Sequence, residues 1–402
     1  MVTLRSARVL DATSTSVDNK PAMRNRSPSS GSSSSSSDDL VTYEEEAPFN
    51  IDANVRKERR TTRQKVDRRP KSTFWKKPRS EMTLAERICS LAIVPETMHY
   101  IVDEKEDRGP VPYHSAWKEN LFIWPRAAAP LVIQYIAHQL TGSNWSAWAA
   151  YPFYVVSYMA FALTVMARLN SYCVKYGTMN EKNIGRDRTP DHSVGQLAFG
   201  VTSYMFLRTG MDFYMHYDKN VTPLTDISWT YPLRLMAWQI AFDYFFYCYH
   251  RSSHEVDALW WIHQKHHTTK QPTAILAILA DDFQESLEIF FIPLMASLLV
   301  PMSFSEMWLT LQVTIYVEML GHSGVRAYWA HPTLNSVLAL FDAELIVEDH
   351  DLHHRYGKSG RNYGKQTRIW DRIFGTTGER IECYGMNGHT PGNNATPILA
   401  HD

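Results

Sequence analysis

Histidine is concentrated in three short segments of this chain, among a series of apolar runs. The segments are HRSSH at 250–254, HQKHH at 263–267 and HDLHH at 350–354. Ten of the 17 histidines lie between positions 250 and 354, including His322 and His331. Burying so many imidazoles without partners would cost free energy, so the fold must give them a shared partner or expose them. This pattern constrains the fold more than any other feature of the sequence.

The spacing within each segment is that of one helical face. Every segment contains two histidines four residues apart, and the second and third also contain a pair three residues apart. On a helix such pairs project from one side, with Cβ atoms about 5–6 Å apart. Two imidazoles in this arrangement can bind one metal ion or two neighbouring ions, because the metal takes the nitrogen lone pairs. One pair would be weak evidence, but three in order predict a metal centre.

The donor type limits the choice of metal. Imidazole suits zinc, copper, iron and nickel. The four cysteines lie outside the histidine segments, which argues against thiolate zinc and iron–sulfur sites. Four ligands complete a structural zinc site, so eight or more histidines exceed the need of one ion and predict two metal ions.

Several further residues could support the histidines. Asp243 lies seven residues before His250 within an apolar run, where an acid is a functional candidate by default. We expect it either to accept the outer ring N–H of a ligand histidine or to make a polar helix-packing contact. Further candidates for such supporting contacts are Glu318, Glu348, Asp349 and His331. His331 precedes a proline and could instead end a helix.

Apolar runs between residues 127 and 320 predict a membrane protein. Candidate spans are 127–140, 147–167, 196–214 and 233–249, followed by the shorter runs 287–300 and 306–320. The second span meets the length of roughly 20 residues that a bilayer requires. We expect an all-α integral membrane protein with about four transmembrane helices, a short membrane hairpin and a histidine-rich di-metal site outside the spans, which the resemblance described below places on a cytosolic helical cap. The alternative is a soluble helical protein with a large core.

Basic residues predict the orientation of these spans. Between Arg56 and Arg79 there are twelve Lys or Arg residues against two acids, which the positive-inside rule places in the cytosol. Four crossings then place the glycosylation sequons at Asn144 and Asn220 on the lumenal side and His250 on the cytosolic side.

Composition divides the chain into four predicted regions. Residues 1–80 are Ser-rich and basic, and we expect a disordered cytosolic N-terminus, because such sequence cannot bury enough apolar surface to offset its ordering entropy. Residues 81–249 form the transmembrane region, 250–380 the histidine-box catalytic domain, and 381–402 a flexible C-terminal tail. The basic run could bind nucleic acid or lie near lipid headgroups. The apolar runs favour lipid, so no nucleic-acid partner is expected.

The ordered segments HRSSH, HQKHH, GHSG and HDLHH, followed by NYGKQTRIWDRIFGT, resemble the fatty acid hydroxylase and sterol desaturase superfamily. The resemblance runs from about Asp243 to Thr377 and implies a non-haem di-iron centre on a cytosolic cap above transmembrane helices. The metal ligands that it implies are His250, His254, His263, His266, His267, His350, His353 and His354, with His322 as an additional ligand between the second and third segments.

The resemblance also implies chemistry. It suggests hydroxylation of an unactivated C–H bond of a fatty acyl, sterol or sphingoid lipid by dioxygen at two Fe²⁺ ions. Electrons would come from NADPH or NADH through cytochrome b5, its reductase or both, since the chain contains neither an HPGG nor a GxGxxG motif. Alternatives are a sterol desaturase or C-4 methylsterol oxidase, and a non-enzymatic metal binder or transporter. The expected location is the endoplasmic reticulum membrane, as a multi-pass protein with cytosolic histidine boxes.

Overall fold

Helices form every regular element in the part of the chain that the structure describes. This computed structural model describes residues 71–90, 109–180, 186–329 and 332–386, all within one unit, Thr61–Asp402. Extended contacts in these ranges are limited to two isolated bridges between single residues. The predicted all-α class is therefore confirmed for the described residues.

The helices differ widely in length. The α-helices in the described ranges are α1 (Leu84–Ser90), α2 (Ala116–Thr141), α3 (Ala147–Tyr176), α4 (Val194–His216), α5 (Tyr231–Glu255), α6 (Trp260–His263), α7 (Asp282–Ser286), α8 (Ile292–Leu299), α9 (Phe304–Ser323), α10 (Asn335–Leu338), α11 (Val347–Tyr356) and α12 (Ile369–Phe374). Short 3-10 helices lie at Phe74–Lys76, Asp191–Ser193, Asp257–Leu259, His266–Thr268, Ala274–Ile278, Ala339–Phe341 and Gly357–Ser359. A π-helical turn, Leu287–Phe291, joins α7 to α8 into one continuous helical segment.

Helix α9 is the centre of the fold. All of its residues except Gly321 are buried, and α2, α3, α4, α5 and α11 pack against it. A helix that is buried on every side must be apolar on most of them, which explains the run EMWLTLQVTIYVEML. A capping box of Ser303 and Glu306 begins the helix, and Gly324 ends it with a φ of 64°. A side chain at Gly324 would collide with the guanidinium of Arg186.

The four predicted spans fall within the four long helices α2 to α5. Large apolar side chains are exposed on these helices, among them Ile133, Val156, Phe206 and Leu233. By length and apolar composition, α3 is the single helix in the described ranges that could cross a membrane. The four-span topology therefore stays a prediction.

The predicted hairpin, formed by α8 and α9, is longer than expected. At its tip Glu306 accepts a hydrogen bond from the Ser228 amide at 2.9 Å and pairs with Arg234 at 3.0 Å. Ser228 belongs to the loop between α4 and α5, so the tip reaches the beginning of α5. The hairpin therefore extends alongside α5 instead of turning back near the histidines, because α9 is a full-length helix.

The two sequons lie together, at the end of α5 opposite His250. The Asn144 side chain donates a hydrogen bond to the Thr222 hydroxyl at 3.3 Å, and Thr222 belongs to the second sequon, which begins at Asn220. The structure thus groups these residues as the predicted topology requires, whichever side of a membrane they face.

Residues 71–80, which the sequence groups with the N-terminal tail, pack onto the helices. Phe74 is buried with Val194 and Leu197, and the Asp191 carboxylate accepts hydrogen bonds from the Thr73 and Phe74 amides at 2.6 and 3.1 Å. The packed region therefore begins before residue 80. Residues 1–70 and 387–402 lie outside the described residues, and the predictions made for them stay predictions.

Candidate metal centre

Nine buried histidines meet at one end of the bundle and form two groups. The first group contains His250, His254, His263, His267 and His353, and the second contains His266, His322, His350 and His354. Within each group the candidate ligand nitrogens all lie within 4.8 Å of one another. These are the nine histidines predicted as metal ligands, and the structure brings all of them together.

Helical geometry explains how the histidine pairs are shared. His266 and His267 are adjacent in sequence but belong to different groups, as do His353 and His354. A helix has 3.6 residues per turn, so adjacent side chains point about 100° apart. Each HxxHH segment therefore supplies both groups and holds them side by side.

Backbone carbonyls fix the outer nitrogen of six of these rings. The Nδ1 atoms of His250, His254 and His353 lie 2.7, 3.0 and 2.9 Å from the carbonyl oxygens of Tyr363, Lys358 and Arg361. Those of His266, His322 and His354 lie 3.1, 2.8 and 3.1 Å from the carbonyl oxygens of Leu279, Glu318 and Thr269. Because a carbonyl only accepts hydrogen bonds, Nδ1 carries the proton in each ring. Nε2 is then left with a lone pair that faces its group.

The inner nitrogens fit metal ions. Nε2 of His322 lies 3.1 Å from Nε2 of His266 and 3.0 Å from Nε2 of His350. Carbonyls hold the protons of His322 and His266 on Nδ1, so both Nε2 atoms of this pair carry lone pairs, which repel at such a distance unless a cation lies between them. Nitrogens about 2.1 Å from one ion are separated by roughly 3.0 Å at a right angle and roughly 3.4 Å at a tetrahedral angle. The spacing therefore suits shared ligation of one ion.

The first group shows the same need for a cation. Nε2 of His353 and of His267 are 3.1 Å apart. Nε2 of His250, His254 and His263 is buried without a hydrogen-bond partner. Buried polar atoms are almost always paired, so three orphaned nitrogens in one place indicate a missing ligand.

Burial keeps these imidazoles neutral. Desolvation, assisted by neighbouring imidazoles, lowers the pKa of His250 well below its usual value. Desolvation likewise lowers the pKa of His254 to about 4. A neutral ring is the form that binds a metal, so both effects prepare the centre for ligation near neutral pH.

Asp243, predicted to support the histidines, does so through the backbone. Its carboxylate accepts hydrogen bonds from the amides of Lys365 and Gln366 at 2.7 and 2.8 Å and from the Thr367 hydroxyl at 2.6 Å. Among the described residues, its hydrogen bonds run to this segment and not to a histidine ring. The segment follows Tyr363, whose carbonyl holds His250, so Asp243 fixes the chain that positions a ligand.

The side chains of the other predicted supporting residues also contact groups other than the histidine rings. Glu318 holds His322 with its backbone carbonyl, while its carboxylate pairs with Lys365 at 2.8 Å. Glu348 accepts hydrogen bonds from the amides of residues 381–383. Asp349 binds Arg380 at 2.8 Å, so both acids anchor the segment after α12. His331 lies outside the described residues.

A buried charged cluster beside the second group was not predicted from the sequence. Lys365 pairs with Glu288 at 2.6 Å and with Glu318 at 2.8 Å. Glu288 also accepts a hydrogen bond from the Tyr249 hydroxyl at 3.4 Å, and Tyr249 lies 3.5 Å from Nδ1 of His263. The position of Lys365 within NYGKQT was the available signal, but its partners are distant in sequence.

The comparisons with known proteins agree with this centre. Residues 235–376 match the fatty acid hydroxylase family model. "Fatty acid hydroxylase vlmA" of a Lecanicillium species is 39% identical over 225 residues, which cover 53% of this chain and 61% of that protein. Human alkylglycerol monooxygenase is 27% identical over 181 residues, which cover 44% of this chain and 37% of the relative.

Alkylglycerol monooxygenase of Danio rerio is 31% identical over 162 residues, covering 38% of this chain and 31% of the relative. The chain thus spans less than two thirds of the length of each of these relatives. No solved structure matches the chain significantly. The family match contains all nine histidines of the two groups, and the segment 235–376 is thus similar to the fatty acid hydroxylase superfamily.

Proposed function

We propose that this protein is a membrane-bound di-iron oxygenase that hydroxylates an unactivated C–H bond of a lipid. The observation that carries the proposal is the pair of histidine groups, nine buried imidazoles whose inner nitrogens converge within a fatty acid hydroxylase segment. Two relatives are named for oxygen insertion into lipids, one as a fatty acid hydroxylase and one as an alkylglycerol monooxygenase. These names favour hydroxylation over the desaturase and methylsterol oxidase alternatives.

The chain's own residues prepare the chemistry. When bound, the irons would supply the activation of dioxygen and the removal of hydrogen from carbon. The first group would hold one ion and the second group the other. Backbone carbonyls fix the ring orientations, which keeps the ligand geometry rigid during turnover. Burial of all nine rings excludes bulk water from the reacting atoms.

The proposed orientation places the histidine groups at the cytosolic face. Its support is the positive-inside rule applied to the basic region 56–79. Membrane insertion itself is supported by the exposed apolar surface of α2 to α5 and by the aromatic side chains Trp148, Tyr214 and Trp229, which are about nine-tenths exposed near the sequons. Aromatic side chains of this kind concentrate at membrane interfaces. The basic region 56–79 would then lie on the histidine side.

The proposal also includes an electron donor and a cellular location. A separate cytochrome b5, its reductase or both would deliver electrons from NADPH or NADH to the cytosolic face. The endoplasmic reticulum membrane provides such partners and lipid substrates. A transporter would distribute its histidines along the spans, whereas here they cluster at one end of the bundle, which favours an enzyme.

The deciding experiment compares cells that express wild-type protein with cells that express His353→Ala or His354→Ala at equal protein level. The expected result is the loss of one class of hydroxylated lipid together with a fall in bound iron. Product analysis by mass spectrometry distinguishes a new hydroxyl group from a new double bond. Bound metal that falls without any change in lipids would contradict the oxygenase and favour a metal binder.

The orientation has its own test. Asn220 is exposed in the loop before α5, so it should carry an N-glycan if that loop is lumenal. Glycosidase treatment should then increase the gel mobility of wild-type protein but not of Asn220→Gln, provided that the partly buried Asn144 is unmodified. A glycan found instead on an asparagine engineered beside the histidine groups would reverse the orientation.

A further inference from the structure

Arg208 places a positive charge inside the helical bundle. It lies on α4 and is 1% exposed, whereas its neighbours Phe206 and Leu207 are 48% and 57% exposed. Helix α4 therefore turns one face outward, toward lipid in the proposed orientation, and presents Arg208 to the interior. A charge at membrane depth is costly, and such residues mark sites of function.

The guanidinium of Arg208 lacks most of its hydrogen-bond partners. Nη2 donates to the Tyr204 hydroxyl at 3.3 Å and to the Glu288 carbonyl at 3.1 Å. Nε and Nη1 are buried and have no acceptor. A guanidinium carries five N–H bonds, so the three on Nε and Nη1 are unused. Buried donors without acceptors are rare, which points to an absent ligand.

The nearby carboxylates of Glu288 and Glu318 do not supply the hydrogen-bond acceptors that Arg208 lacks. Glu288 and Glu318 both pair with Lys365, at 2.6 and 2.8 Å. Arg208 contacts this cluster only through neutral atoms, the Tyr204 hydroxyl and a backbone carbonyl. The two carboxylates are thus shared with Lys365, while the charge of Arg208 faces no carboxylate within ion-pair distance among the described residues.

Arg208 lies close to both histidine groups. Tyr204, its first partner, donates to Glu318 at 3.2 Å, and the Glu318 carbonyl holds His322 of the second group. Glu288, whose carbonyl is its second partner, accepts from Tyr249 beside His263 of the first group. A ligand at Arg208 would therefore lie within a few side-chain contacts of the metal centre.

We propose that Arg208 binds the oxygen-bearing head of an acyl lipid, a carboxylate most strongly, and so positions its chain against the histidine groups. The inference rests on the proposed lipid oxygenase function. A carboxylate supplies both the missing acceptor and the missing negative charge, and charge-assisted hydrogen bonds are about twice as strong as neutral ones. A sterol hydroxyl or an ether oxygen supplies an acceptor without the charge. The exposed face of α4 borders the bilayer, from which such a lipid would arrive.

The test measures binding separately from turnover. Iron-loaded full-length protein in phosphatidylcholine nanodiscs is titrated with radiolabelled hexadecanoic acid and, in parallel, with hexadecan-1-ol. The variants are Arg208→Met, which keeps the length but removes the donors, and Arg208→Lys, which keeps the charge. Arg126→Met is the matched control, because it removes an exposed arginine of α2 that has no carboxylate partner in the described residues.

Wild-type protein and Arg126→Met should bind the acid at least about tenfold more tightly than the alcohol, as expected for a charge-assisted contact. Arg208→Met should lose this preference while its affinity for the alcohol changes little, and Arg208→Lys should retain part of it. Unchanged iron content and elution volume show that each variant is folded.

An acid-to-alcohol ratio that is the same in Arg208→Met and wild-type protein would overturn the inference. Turnover of the two probes in the same samples, after addition of NADPH, cytochrome b5 and its reductase in air, tests the underlying function. Wild-type protein that shows the Arg208-dependent preference but oxidises no lipid supports the binding role and contradicts the oxygenase.

Discussion

The two histidine groups differ in what holds them. Three ligands of the first group, His250, His254 and His353, are all fixed by carbonyls from one loop, residues 358–363. The second group takes its carbonyls from three separate places in the fold, at residues 269, 279 and 318. The first group therefore depends on one loop, whereas the second depends on the packing of the whole bundle.

The electrostatic surroundings differ as well. Burial and neighbouring imidazoles lower the pKa of His250 well below its usual value. At His266 in the second group, burial also lowers the pKa, but Glu288 and Glu318 oppose that effect and Lys365 assists it. Two ions in these groups would thus be inequivalent, with the second one beside the charged cluster and near Arg208.

Removal of one ligand should have the largest effect, and it should differ between the groups. His322→Ala leaves the second group with three histidines, so we expect iron to fall from two ions to about one and product formation to fall at least 100-fold. His254→Ala leaves the first group with four histidines and should retain more iron. Elemental analysis per chain measures both, and equal losses would contradict the distinction between the groups.

Lys365→Met should disturb the second group selectively. The change leaves Glu288 and Glu318 buried without their cation, which is costly. We expect activity to fall by about 10- to 100-fold, with one of two iron signals altered in Mössbauer spectra. Lys118→Met, which removes an exposed lysine of α2, is the matched control and should leave both signals unchanged. Alteration of both signals by Lys365→Met would show that the charged cluster serves both ions.

Asp243→Asn should disturb the first group instead. The amide offers one acceptor oxygen where the carboxylate offers two, so the segment 365–367 and the preceding loop lose anchoring contacts. We expect iron affinity to weaken by about tenfold at the first group, as is common for contacts that support a metal ligand. Chelator competition measures this change. Asp218→Asn, at an exposed site in the loop before α5, should show none.

Acid should release the second ion before the first. The neutral imidazole binds metal, and protons compete for its lone pair as the pH falls below the ordinary histidine value of about 6.5. Because burial lowers these pKa values, to about 4 for His254, iron should persist below pH 6.5 and be lost as pH approaches 4. The carboxylates near His266 favour its protonation, so that group should empty first. Dialysis at stepped pH followed by iron analysis would detect the reverse order.

The sequence predicted the histidine pairs well because their geometry is local. Each pair spaced by four residues, such as His250 with His254, falls in one group, as a helix requires. The carbonyl contacts of Tyr363 with His250 and of Lys358 with His254 join residues more than a hundred positions apart, and they use the backbone of the partner residue instead of its side chain. Local spacing therefore carries no information about them.

Prediction of the fold from the sequence has the same limit: local properties are predicted, whereas long-range contacts are not. Helices α2 to α5 coincide with the apolar runs, since length and composition are local properties. The reach of the hairpin depends on Glu306 and Arg234, which meet only in the folded chain. The position of Lys365 within NYGKQT did not predict its role, because its two carboxylate partners, Glu288 and Glu318, are distant in sequence.

The loop 358–363 also determines when, during synthesis of the chain, the first histidine group can be completed. Helix α5 and the next histidine segment leave the ribosome about a hundred residues before the carbonyls that orient their rings. A nascent chain that ends before residue 358 carries histidines of the first group but lacks the backbone carbonyls that orient their rings. Completion of the first histidine group is therefore tied to the synthesis of the C-terminal part, and a prematurely terminated chain would be left without an oriented set of these ligands.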